Sequence, residues 1–127
     1  MNWKLLLPTL LVEKPDLVLT LPKPPSINSA YINLPNKGRA KSKSHTKWIK
    51  DAERALWGQK IKHFDGKVVV IYEIPRIREI MDCANYEKAI SDFLTKIGII
   101  KDDSLIDINI QTWSSTDDLI VNIYKSY

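Results

Sequence analysis

Asp82, Lys88, Asp92 and the pair Asp102–Asp103 fall within one stretch, EIMDCANYEKAISDFLTKIGIIKDD, which runs from Glu79 to Asp103. Carboxylates are what a hard divalent cation binds. Mg²⁺ takes one or two of them, keeps several waters and completes its shell with phosphate oxygens. A cation held this way generates a hydroxide and steadies the leaving oxygen of a phosphodiester. A nearby lysine, Lys88, offsets charge that builds up in the transition state. Asn85, Lys88 and Asp92 stand at i, i+3 and i+7 and so share one helical face. Asp82 precedes the first turn, where the helix dipole favours a carboxylate. Each position also has an ordinary explanation: a capping acid at Asp82, a solvated pair for Lys88 and Asp92, turn chemistry for Asp102 and Asp103. A metal site needs the fold to bring Asp82 and Asp103 together, and periodicity alone leaves that open.

Other chemistries fit poorly. Cys83 is the single cysteine, and His45 and His63 are distant from it along the chain, so a Cys–His nucleophile has no support. Zinc-ligand spacing is absent. So are the glycine-rich phosphate and dinucleotide loops, and no organic cofactor is expected. One cysteine excludes an intramolecular disulfide and suits a reducing compartment, with the cytoplasm as the expected location.

Net charge is +4 with a pI near 9.1, which permits nucleic-acid binding without establishing it. The distribution says more. Lys37, Arg39, Lys41, Lys43, Lys47 and Lys50 follow one another with no acid between them, whereas acids gather from Asp82 to Asp107. A solvated face is the plain reading of such a run; phosphate contact is the other.

These residues need a scaffold, and 127 residues suffice for one compact domain. Residues 1–16, with the apolar WKLLLPTLLV, are expected to form an arm or strand packed on the domain or on a partner. Pro8 breaks the segment well short of a membrane span, and no membrane association is expected. LVLTLP reads as a strand closing at residue 21, and PKPPSINSAY as a stiff turn. INLPNKGRAKSKS reads as a polar loop, with residues 34–44 forming a mobile basic segment. A helix is expected from a Ser44 cap to about Lys62, a central strand over Lys67–Pro75, and a second helix from about Cys83 to a stop at Gly98. Tyr86, Ala89, Ile90, Phe93, Leu94 and Ile97 make its apolar stripe. LIDINIQTW and LIVNIYKSY read as an antiparallel hairpin joined by SSTDD. The expected class is α+β, with a mixed sheet and two helices packed on it.

Two stretches in the right order resemble the RusA family of Holliday junction resolvases. LTLPKPPSINSAY and KGRAKSKSHTKW are similar to that family's LP-x-PPS-x-N segment and its Gly-Arg loop leading into a helix. MDCANYEKAISDFLTKIGIIKDDSLID is similar to its D-x-D-N-x-x-K-x-x-x-D-x-L followed by a glycine and D-D. The resemblance implies a homodimeric, Mg²⁺-dependent endonuclease, with Mn²⁺ as a substitute, that resolves four-way DNA junctions in recombination and repair. Phages and prophages commonly carry such enzymes. It places Asp82, Lys88 and Asp103 in catalysis, with Asp82, Asp103 and Asp102 at the metal. It places Lys37, Arg39, Lys41, Lys43, Lys47, Arg76, Arg78 and Asn85 on DNA, and Ser26 and Asn28 near the site.

The chain departs from the motif at Ala84, where the family has its second aspartate. Fewer and less charged oxygen ligands mean weaker divalent binding. Ala84 is consistent with an introduced change, with natural loss that leaves a junction-binding protein, or with replacement of the missing acid by Glu87, three residues on.

Overall fold

The computed structural model describes residues 14–25, 31–34, 38–76 and 84–126, with 31–34, 38–40, 84 and 85 described by backbone alone. The expected roles of residues 1–13, Ser26, Asn28, Lys37, Arg78, Asp82 and Cys83 lie outside the described residues.

Strand β1 (Leu17–Leu21) alternates buried and exposed residues, with Leu17, Leu19 and Leu21 facing inward. That is the period of a strand covered on one face. Strands β2 (Tyr31–Leu34) and β3 (Gly38–Lys41) pair antiparallel with each other in a separate two-stranded sheet. Helix α1 (Lys43–Ala55) leads to β4 (Val68–Pro75), helix α2 (Ala84–Lys96), a 3-10 turn (Asp103–Leu105), β5 (Ile106–Ser114) and β6 (Leu119–Lys125). The larger sheet runs β1-β6-β4-β5, with β4 parallel to β5 and antiparallel to β6. The class is α+β with a mixed sheet and two helices, as the residue pattern predicts.

β4 lies inside the sheet between β6 and β5, and its VVVIY run is buried on both faces. Val68, Val70, Tyr72 and Ile74 join one core with β1, β6 and both helices, while Val69 and Ile71 pack with Tyr124 on the reverse face. Trp48 of α1 meets Phe93 of α2 edge-on, with ring centroids 5.2 Å apart, and this contact ties the two helices together over the sheet.

Three expectations are corrected. β5 and β6 are not a hairpin: the SSTDD connection is short enough for one, but β4 lies between them and pairs with both. The segment read as a loop, including most of residues 34–44, holds β3 and the start of α1. β3, GRAK, is short and polar, so no apolar alternation marks it. α1 is capped by Ser42, whose Oγ accepts the His45 N–H at 3.2 Å, and it ends at Ala55, not near Lys62. Its last turn tightens as the Trp57 N–H turns to the Arg54 carbonyl, and Gln59 is drawn off to β1. The Gln59 side-chain amide accepts from the Thr20 N–H at 2.9 Å and donates to the Thr20 carbonyl at 2.8 Å, covering part of the outer edge of β1.

Candidate active site

The acid pair is positioned by the end of α2. Gly98 adopts φ +79°, its N–H reaches the Thr95 carbonyl, and the Ile99 N–H reaches the Leu94 carbonyl at 3.0 Å. This is the reciprocal pattern of a glycine helix stop, and the buried side chains of Ile99 and Leu94 add the apolar pairing that goes with it. The segment before β4 pins the turn from outside. The His63 Nδ1 lies 2.8 Å from the Gly98 carbonyl, and the Phe64 N–H donates to the Ile99 carbonyl at 2.8 Å. The chain leaves this clamp directly into Asp102 and Asp103.

The two acids differ. The Ser104 N–H donates to the Asp102 carboxylate at 3.0 Å and holds its pKa below the usual carboxylate range. Asp103 is pushed up, first by its hydrogen bond with Asp102 and then by the negative charges of Asp102 and Asp92. Asp102 and Asp103 are both exposed.

α2 packs against the 3-10 turn. Lys88 Nζ lies 3.5 Å from Asp92 Oδ2, and both side chains are partly open to solvent. Asp92 thus pairs with Lys88, and its negative charge also reaches Asp103. Ile90 and Phe93 are buried on the other side of the helix, as its stripe predicts.

Glu87 faces elsewhere. The Tyr72 hydroxyl sits 2.8 Å from Ser91 Oγ, and Ser91 Oγ donates to Glu87 Oε1 at 2.5 Å. With the Ser91 proton so used, Tyr72 is the donor to Ser91. Burial pushes the Tyr72 pKa far up, so it remains a donor. Asn109 Nδ2 also donates to Glu87 Oε1, at 2.7 Å, and Gln111 Nε2 donates to Asn109 Oδ1. The acid is the sink of a polar relay between α2, β4 and β5. Sequence reasoning missed this relay. Its trace is INIQ in β5, where Asn109 and Gln111 alternate with isoleucines on a strand otherwise fit for a core.

The basic residues are spread out. Lys41, Lys43, Lys47 and Lys50 are exposed along the end of β3 and α1. The first turn of α1 contains no acid to complement its dipole. Arg76 follows β4 and lies over the Trp113 ring, 4.7 Å from its centroid. Val68 pairs with Ile106 and Pro75 with Ser114, so Arg76 and the acid pair stand at opposite ends of β4 and β5, roughly 20 Å apart along the strands. Arg39 and Asn85 are placed by backbone only, on β3 and in the first turn of α2.

Among the described residues no three His, Cys, Asp or Glu side chains stand close enough to hold a metal ion unaided. No helix among them is long and apolar enough to cross a membrane.

No curated protein matches the chain. Residues 30–124 match the family model Endodeoxyribonuclease RusA, a range that takes in both helices, the acid turn and nearly all of β6. On that match, which spans most of the scaffold, the chain belongs to the RusA endodeoxyribonuclease family.

Proposed function

We propose that this chain binds four-way DNA junctions as a homodimer, and that its site hydrolyses phosphodiesters with Mg²⁺ at a rate curtailed by Ala84, in recombination and repair. The observation that carries the reading is the family match over residues 30–124, within which Asp92 pairs with Lys88 and adds its charge to that around Asp103. The donor set suits a divalent cation. Asp102 and Asp103 are adjacent hard oxygen donors whose mutual repulsion a cation relieves, and Asp82 would complete the shell. Such a cation, with Mn²⁺ as a substitute for Mg²⁺, supplies a hydroxide at neutral pH and neutralises the phosphate. Lys88, half open to solvent beside Asp92, reaches a phosphate oxygen and offsets its growing charge. Lys41, Lys43 and Lys47, with Lys37 and Arg39, hold one arm of the junction, and Arg76, Arg78 and Asn85 contact DNA as well. These contacts read the shape of the backbone more than base sequence.

A second reading, a junction-binding protein with a silent site, draws on Glu87. Its Oε1 is committed to Ser91 and Asn109, so it is a poor stand-in for an acid at position 84. Nicking of a synthetic four-way junction with Mg²⁺ separates the two. The chain is expected to cut slowly and Ala84→Asp to cut well. If neither cuts while both bind, the silent-site reading stands; if neither binds at low salt, both readings fall.

A further inference from the structure

A second basic surface lies apart from the β3–α1 lysines. Two adjoining clefts of about 360 and 720 Å³ share Asp16 and Lys62. Lys62, Lys67 and Lys125 line the first, and Lys14, Lys60 and Lys62 the second. These lysines come from three separate parts of the chain: the approach to β1, the connection between α1 and β4, and the end of β6. All five are exposed, and no salt bridge within the described residues involves any of them. Two acids line the clefts. Asp16 Oδ2 accepts the Lys125 backbone N–H at 2.6 Å, which uses that oxygen to fasten β1 to β6 and leaves the Lys125 ammonium to solvent. Asp65 is exposed. Five ammonium groups against two carboxylates leave a surplus of positive charge around a concave surface. The first cleft also contains His63, whose ring holds the turn that delivers Asp102 and Asp103. The basic surface therefore adjoins the acid pair at one end of the sheet.

We propose that these clefts hold the phosphate backbone of a DNA arm next to the cleavage site, as a second anchoring surface beside the β3–α1 segment. Concave, flexible, unpaired lysines suit a polyanion whose geometry varies, and each phosphate they neutralise releases counterions. The inference rests on the junction-binding reading above.

The test is fluorescence anisotropy with a synthetic four-way junction over a salt series. It compares the unaltered chain, the triple variant Lys62→Gln, Lys67→Gln, Lys125→Gln, the matching triple to Arg, and the triple Lys23→Gln, Arg54→Gln, Lys96→Gln as a control of equal charge outside the clefts. The glutamine triple is expected to lose about tenfold in affinity, and its log–log salt slope to shrink by about 0.9 for each phosphate contact removed. The arginine triple and the control are expected to bind as the unaltered chain does. Equal affinity and slope for the glutamine triple, with unaltered circular dichroism, overturn the second surface but leave the junction reading intact. An equal loss in the control also overturns it, because net charge alone then explains the effect. No junction binding by the unaltered chain at low salt overturns both.

Discussion

Glu87 Oε1 accepts a hydrogen bond from Asn109 Nδ2 at 2.7 Å, so an acid one residue before the candidate catalytic lysine is fixed to the neighbouring strand. The bond spans α2 and β5. It adds a polar tie to the apolar packing of Ile90, Phe93 and Leu94 that seats α2 on the sheet. Ser91, one turn further on, donates to the same oxygen and lies 2.8 Å from the Tyr72 hydroxyl, a second tie from the helix to β4.

Replacing Glu87 with Leu leaves the Ser91 and Asn109 donors without their shared acceptor. We expect a loss of about 1–3 kcal/mol, the range for disrupting a partly buried charged hydrogen-bond centre, measured as a lower urea midpoint. In the Ala84→Asp background, Mg²⁺ affinity should change little. A large loss of metal affinity with stability intact would assign Glu87 to the metal.

Asp92→Asn removes the partner of Lys88 and one of the charges that raise Asp103. The pair is partly exposed, so stability should change by less than about 1 kcal/mol. Junction nicking in the Ala84→Asp background should fall well beyond what that change explains. Nicking that tracks stability alone would show that Asp92 does not position Lys88.

The acid pair carries a pH signature. Asp103 binds its proton more readily in the folded chain than an isolated carboxylate does, so its raised pKa favours folding at acid pH, and that contribution is lost as pH rises through the folded value. Asp102, held low by Ser104, acts in the opposite sense: its contribution is present above the ordinary carboxylate range and is lost as pH falls through its lowered value. In metal-free Asp102→Asn, the Asp103 carboxyl is expected to titrate at a lower pH than in the unaltered chain, as followed by carbon NMR. An unmoved titration would place the cause outside the pair.

Gly98→Ala should cost about 1–2 kcal/mol, because φ +79° lies in the left-handed region that L side chains resist. Crowding adds little, since the nearest atom to a new Cβ is His63 Nδ1 at 4.0 Å. Chemical denaturation measures the cost. A neutral substitution would mean that the turn before Asp102 relaxes without penalty.

Much of this was written in local chemistry. The buried stripe of α2, its glycine stop, the inward leucines of β1 and the apolar run of β4 follow from side-chain period and backbone preference, which short stretches of sequence express directly. The i, i+4 relation of Lys88 to Asp92 follows in the same way. Strand order did not. β5 and β6 are neighbours along the chain but not in the sheet: β4 lies between them and pairs with both, and those pairings join residues far apart in sequence. The roles of the acids divide along the same line. Sequence named Asp102 and Asp103 together. Only the packed structure separated them, giving Asp102 a backbone donor and Asp103 a set of negative neighbours, and only packing committed Glu87 to Asn109. Helical period is fixed by the backbone alone, whereas the charge and partners of a carboxylate are fixed by whatever the fold brings beside it.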